Sequence, residues 1–193
     1  MKLDLTGKVA EVSGSTSGIG QGIAAGLAKA GATVVVVGRK QRGVDDAMAA
    51  IAAQTPTASL RGVVADLSTE DGVAIPGDMI NYGVTKAANL AVSHGLAKRL
   101  AGTGVTVNAI LPGPTFTDGL KEMLADAAAQ SGRSAREQAD EFVKTSRPSS
   151  IIQRAADVEE VANLAVYLAS PLSSATTGAA LRVDGGVVDT LTM

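Results

Sequence analysis

The chain has 193 residues, 46% of them hydrophobic and 19% charged, with 22 Gly and a formal net charge of −2, a balance that fits one soluble globular domain and excludes a disordered chain. It has no Cys and a single His, His94, so neither a disulfide framework nor a thiolate or imidazole metal cluster can be built, and no metal ligand is expected. With 17 basic against 19 acidic residues and only Tyr82, Tyr167, Phe116 and Phe142 as aromatics, it lacks both the charge footprint and the stacking platform of a nucleic-acid binder.

Residues 1–7 lack the apolar run of a signal peptide, and no stretch reaches membrane-spanning length, so a cytoplasmic protein without a membrane partner is expected. Val9 to Ser13 and Thr33 to Val37 are short β-branched runs. Between them Ile19, Ile23, Leu27 and Ala30 recur at helical spacing, which predicts a βαβ unit. A helix from about Val44 to Ala53 and a strand from Ser59 to Ala65 follow, spaced as parallel strands joined by crossover helices. Asn81 to Leu100 reads as a helix, and Val105 to Leu111 as a strand halted by Pro112, Gly113 and Pro114. Residues 118–150 are polar and Ala-rich, helical in pieces. Asp157 with Glu160 opens a helix carrying Val158, Val161, Leu164, Ala165 and Leu168, and Leu181 to Val183 is the last strand. No repeat or linker interrupts the chain, so a single domain over 1–193 is expected. Apolar runs alternating with helices predict an α/β fold, a Rossmann-like doubly wound parallel sheet with its ligand at the carboxyl ends of the strands.

Ser13-Gly14-Ser15-Thr16-Ser17-Gly18-Ile19-Gly20 lies between the first strand and the first helix. A tight turn there leaves helix N-terminal amides free for a pyrophosphate. The second strand ends in Gly38-Arg39-Lys40 where a nucleotide-binding fold often offers a ribose-binding carboxylate; two cations suit a ribose 2′-phosphate, so NADP(H) is favoured, with NAD(H) possible. Tyr82 and Lys86 stand four residues apart on one predicted helix, where the ammonium can stabilise a phenolate and lower the tyrosine pKa. Such a tyrosine can give a proton to a carbonyl oxygen as hydride reaches carbon, or take it back.

Taken together, Gly14-x-x-x-Gly18-x-Gly20, Asp66-Leu67, Tyr82-x-x-x-Lys86, Asn108, Pro112-Gly113 through Thr117, and Thr177-Gly178 through Val183-Asp184-Gly185-Gly186 resemble the short-chain dehydrogenase/reductase family. The resemblance covers most of the first 70 and the last 115 residues. It implies that Tyr82 is the acid/base and that Lys86 tunes it and binds the nicotinamide ribose. It further implies that Asp66 and Leu67 border the adenine, and that the loop from Pro112 and Gly113 through Thr115 to Thr117 holds the nicotinamide end. Residues 118–150 resemble the family's substrate loop or lid. The resemblance also implies a homodimer or homotetramer built through the tyrosine-bearing helix, whose Ala87, Ala91 and Gly95 would permit close packing.

One departure is large. In that family a long block precedes the tyrosine, supplying an Asn-Asn-Ala-Gly strand end, a helix with a catalytic Asn and a strand with the catalytic Ser. Here fifteen residues separate Asp66 from Tyr82. Two strand-and-helix units of ~30 residues each are absent, with the junction expected between about residues 72 and 75, so the sheet should lose its middle. The favoured explanation is a segment missing from view, such as disordered residues, in a complete gene product. Ser68 and Thr69 follow the third strand, so the serine role is not transferred to them. Glu11, a charge in the first strand, is expected to face space opened by the loss. His94 is assigned packing or surface, and Arg133 and Arg136 are candidates for an anionic substrate, with solvated lid arginines the commoner case. The expected function is hydride transfer between NADP(H) and a carbonyl/secondary-alcohol substrate. The alternative is a catalytically silent nucleotide-binding or interaction protein.

Overall fold

The computed structural model describes residues 3–65 and 79–188, with side chains at 86 and from 88 onward in the second span. Strand β1 (Val9–Val12), helix α1 (Gly18–Lys29), strand β2 (Thr33–Gly38), helix α2 (Gln41–Gln54) and strand β3 (Ser59–Val64) form the first half. These strands make a parallel sheet in the order β1-β2-β3, with Glu11, Val35 and Arg61 in one row. Gly31, at φ +96°, ends the turn after α1 in a conformation that suits glycine. Fully buried Val34, Val36, Val44 and Ile51 anchor a core between this sheet and its two helices.

The second half comprises helix α3 (Met79–Arg99), strand β4 (Ala109–Pro112), helices α4 (Asp118–Met123), α5 (Ala125–Ser131), α6 (Ala135–Ser146) and α7 (Val158–Leu168), and strand β5 (Ala180–Val183). Strands β4 and β5 pair in parallel as a separate two-stranded sheet. The α/β class and its parallel strands are as expected, and the sheet has indeed lost its middle. The expected junction at 72–75 lies outside the described residues, as do Asp66, Leu67, Ser68 and Thr69.

What joins the halves is the packing of α1 against α7. A Cβ placed on Gly22 would sit 2.9 Å from the Val158 Cβ, and one on Gly26 would sit 3.2 Å from both the Ala162 Cβ and the Val166 Cγ2. Gly22 and Gly26 thus remove side chains from the face where the helices meet. Glu11 is exposed, as expected, and Val9 beside it is 73% exposed. The open space spares the Glu11 carboxylate the cost of burial.

The strand expected over Val105 to Leu111 begins only at Ala109. Its first residues bond instead to the approach to β5: Asn108 Nδ2 donates to the Thr176 carbonyl (2.8 Å), Ala179 N–H donates to Asn108 Oδ1 (3.2 Å) and Val107 N–H donates to Thr177 Oγ1 (3.2 Å). Side-chain groups satisfy the backbone there in place of a ladder. Helices α4, α5 and α6 pack around a second core of Leu124, Ala139, Val143 and Ala155, with Phe116 and Phe142 against it.

The start of α7 is held by a charged pair. Glu160 reaches back to accept from Asp157 N–H (2.8 Å), and Arg154 donates to both Glu160 carboxylate oxygens (2.8 Å each). The bond from Arg154, then that from Asp157, hold the Glu160 carboxyl down at about 2, against ~4.3 in an unfolded chain. A depressed folded pKa means that this contribution to stability is complete above the unfolded value and is lost as pH falls toward 2. Both side chains are more than a third exposed, so solvent screening keeps the effect modest. Thermal unfolding followed at pH 5 and at pH 2.5 is expected to show a smaller acid-induced loss in Glu160→Gln than in the wild-type chain; equal losses would mean that the pair contributes nothing.

Candidate active site

The turn after β1 is shaped by glycine. Gly14 and Gly18 have φ +61° and +56°, and a Cβ on Gly20 would lie 2.4 Å from the Gly14 carbonyl oxygen. This close approach lets the first turn of α1 point its N–H groups outward beside Ser17 and Ile19, with no acidic side chain in that turn to compete for them. Ser15 has another use. Its side chain is fully buried, its hydroxyl donates to the Val12 carbonyl (2.6 Å) and it accepts from Val37 N–H (3.0 Å). Its N–H also donates to the Val37 carbonyl (3.2 Å), so Ser15 ties the turn to β1 and β2 and is not available to a ligand, against the cofactor contact expected of it.

Thr16, Arg39 and Lys40 do come together. With Arg42, Gly43 and Asp46 they line a cleft of about 360 Å³ beside the glycine turn. Gly38 is buried directly behind Thr16, with no room for a Cβ against the Thr16 methyl. Arg42, which sequence reading did not single out, lies within 3.7 Å of Asp46 on the exposed first turns of α2. Three cations against one carboxylate make this cleft favourable for an anion. A 2′-phosphate placed there meets the guanidinium geometry that binds phosphate in pairs of hydrogen bonds.

The loop after β4 closes over the same turn. Thr117 stands 3.7 Å from where a Gly18 Cβ would be, and as the residue preceding α4 its hydroxyl accepts from Leu120 N–H (3.2 Å). Thr115 is buried and donates to the Gly113 carbonyl (2.9 Å). Ala156 N–H donates to the Pro114 carbonyl and Phe116 N–H to the Ala156 carbonyl, at 2.9 and 2.8 Å, so the loop is strapped to the segment before α7. Gly113 is packed on the Asp184 backbone, 2.6 Å from a would-be Cβ. Beyond it, at the carboxyl ends of β4 and β5, opens a cleft of about 440 Å³ lined by Pro112, Gly113, Thr115, Phe142, Arg147 and Arg182, among others.

Tyr82 and Lys86 both lie on α3, one turn apart in sequence, and the Lys86 side chain is exposed. The Tyr82 side chain lies outside the described residues. His94 Nδ1 is 3.0 Å from the Gly178 carbonyl oxygen, a bond that ties α3 to the approach to β5 and suits the packing role expected of it. Arg133 and Arg136 differ. Arg136 is held by Asp157 (2.5 Å), Asp140 (3.3 Å) and the Ala155 carbonyl (2.9 Å), and lies over the Phe116 ring at 5.1 Å, so its guanidinium is engaged within the protein and not turned to an anionic ligand. Arg133 is exposed. The arginines that line the larger cleft, Arg147 just after α6 and Arg182 on β5, carried no sequence signal, because nothing local shows that these distant segments meet.

Residues 68–188 match the family described as enoyl-(acyl carrier protein) reductase, and residues 8–75 match the family described as short chain dehydrogenase. The uncharacterized oxidoreductase YvaG of Bacillus subtilis (strain 168) is 33% identical over 260 positions that take in 97% of this chain and 98% of YvaG. Those positions outnumber the residues of this chain by about seventy, which is the size of the expected gap. A second Bacillus subtilis relative, the uncharacterized oxidoreductase YvrD, is 42% identical over 130 residues, 67% of this chain but 49% of YvrD. Among solved structures, L-sorbose reductase from Gluconobacter frateurii complexed with NADPH and L-sorbose superposes with a TM-score of 0.82 at 22% identity, covering 99% of this chain and 100% of that one. A putative 2-deoxy-d-gluconate 3-dehydrogenase from Agrobacterium tumefaciens with bound NADP has a TM-score of 0.75 at 22% identity, covering 98% and 99%. These two likenesses establish the fold.

Proposed function

Because the chain belongs to the short-chain dehydrogenase/reductase family of oxidoreductases, we propose that it transfers hydride between NADP(H) and a carbonyl/secondary-alcohol substrate. The observation that carries the proposal is the cluster of Arg39, Lys40 and Arg42 around Thr16, beside a glycine turn whose close backbone approach leaves helix amides facing out. The residues present fit a dinucleotide. The first turn of α1 would take the pyrophosphate, Arg39 and Lys40 the 2′-phosphate, and the Pro112 to Thr117 loop the nicotinamide end. When bound, the nicotinamide supplies or accepts the hydride. Tyr82 would move the proton at the substrate oxygen, Lys86 would hold its phenol toward the ionised form and bind the nicotinamide ribose, and Asp66 and Leu67 would border the adenine. Residues 118–150 would close over the substrate, with 1–193 acting as one catalytic domain.

Titrating the chain with NADPH and NADH, and following oxidation of each against a panel of carbonyl compounds, tests the reading. NADPH is expected to bind at least ~10-fold tighter than NADH, in line with a charge-assisted phosphate contact worth ~1.5–3 kcal/mol. Arg39→Ala should remove most of that preference while leaving NADH affinity unchanged. Tighter binding of NADH by the wild-type chain would defeat the assignment. The split sheet favours one second reading, a nucleotide-binding protein without turnover, because a cleft wall made of central strands is missing. Tight NADPH binding with no oxidation against any carbonyl would favour it.

A further inference from the structure

The two half-sheets present edges whose outward groups can be named. Thr33 N–H donates to the Lys8 carbonyl at 2.9 Å, so Lys8, Ala10 and Val12 turn their backbone groups to β2. Val9 and Glu11 turn theirs to the opposite edge, because successive residues of a parallel strand bond to alternate sides. In β4, Ala109 N–H donates to the Ala179 carbonyl (2.9 Å) and Gly113 N–H to the Val183 carbonyl (3.0 Å), so Ile110 turns outward and Pro112 has no N–H to offer. Among the described residues no strand pairs with either edge. Apolar side chains on β1 and α3 also lack cover: Val9 is 73% exposed, and on α3 Val92 is 68% and Leu96 46%.

The order of strands says what is absent. A doubly wound sheet runs 3-2-1-4-5-6, and here β3-β2-β1 is followed by a separate pair. The about seventy positions of YvaG opposite no residue of this chain correspond to two strand-and-helix units at ~30 residues each. The α1–α7 seam keeps both halves in place without using either edge.

We propose that the slot between β1 and β4 is a docking surface for a second polypeptide that donates two parallel, apolar strands with their covering helices. This chain is then the larger part of a two-chain fold. Main-chain bonds at Val9, Glu11 and Ile110 would give affinity, as in other strand additions, and the exposed valines would give an apolar face to cover. A second copy of this chain is the poorer occupant. Joining two β1 edges would leave both β4 edges open, and a crosswise pairing of β1 on β4 between two copies would require the α1–α7 seam to open. The proposal stands on the fold alone and does not depend on the catalytic reading.

The test co-expresses the full 193-residue chain with a tagged segment spanning the unmatched positions of YvaG, followed by native mass spectrometry and amide hydrogen exchange. A 1:1 complex is expected, with exchange at Val9, Glu11 and Ile110 slowed at least ~100-fold relative to the chain alone. Val9→Lys, at a position already exposed in the free chain, should keep its fold and weaken the complex at least ~10-fold by placing a charge against the apolar strand. Failure of the segment to co-purify overturns the proposal. So does slow exchange at all three amides in the chain alone, which would mean that the slot is already closed. Protection of Val9 and Glu11 only, in a homodimer, would assign the edge to a second copy and likewise overturn it.

Discussion

Replacing Gly22 with leucine is expected to lower the melting temperature by about 4–8 °C. A Cβ at Gly22 would already lie 2.9 Å from the Val158 Cβ and 3.4 Å from the Val158 carbonyl oxygen. Three further carbons have no volume to enter. Overpacking at a tight contact costs ~3 kcal/mol, while leucine recovers ~1 kcal/mol of helix propensity lost to glycine. The net loss is ~2 kcal/mol, and for a chain of this size each kcal/mol moves the midpoint by ~2–4 °C. The site matters beyond its own helix because no strand pairing joins the two half-sheets among the described residues. Forcing α1 from α7 also draws the glycine turn away from Thr117, so NADPH affinity should fall with stability. An unchanged midpoint, measured by calorimetry, would show that the halves are held together elsewhere.

Tyr82→Phe is expected to reduce carbonyl turnover by ~10²–10⁴-fold, the range for loss of a positioned proton donor, with NADPH affinity unchanged. Phenylalanine keeps the ring and its packing and removes only the hydroxyl, so the substitution separates proton transfer from binding. Lys86→Met should reduce turnover as well and, in addition, move the alkaline limb of the pH–rate profile to higher pH, since removing the ammonium raises the tyrosine pKa toward ~10. Turnover retained in Tyr82→Phe would refute the proton-donor role. A fall in both turnover and NADPH binding would assign Tyr82 to holding the cofactor.

Local pattern made much of this molecule readable in advance. The glycines at 14, 18 and 20 declare a turn that only small residues can make, and Asp157 with Glu160 declares a helix start, because each signal involves groups within a few residues of one another. Arg39 and Lys40 directly follow β2, so their place beside the turn follows from a βαβ unit. The same locality explains the failures. The strand predicted from Val105 starts late because Asn108 is bonded to residues 176 and 179, about seventy positions away. The Ser15 hydroxyl faces inward because it completes a contact with Val37.

The sequence by itself determined the alternation of strands and helices, the glycine turn after β1, the cation pair beyond β2 and the spacing of Tyr82 and Lys86. All of these are counted along the chain. Tertiary structure decided where the arginines go: Arg136 is held by Asp140 and Asp157, and Arg147 and Arg182 line the cleft. It also decided that Gly22 and Gly26 form a seam against α7 and that the edges of β1 and β4 stand apart. Those outcomes depend on which surfaces meet across long separations in sequence, where one residue's partner is set by how whole helices and sheets pack and not by its neighbours.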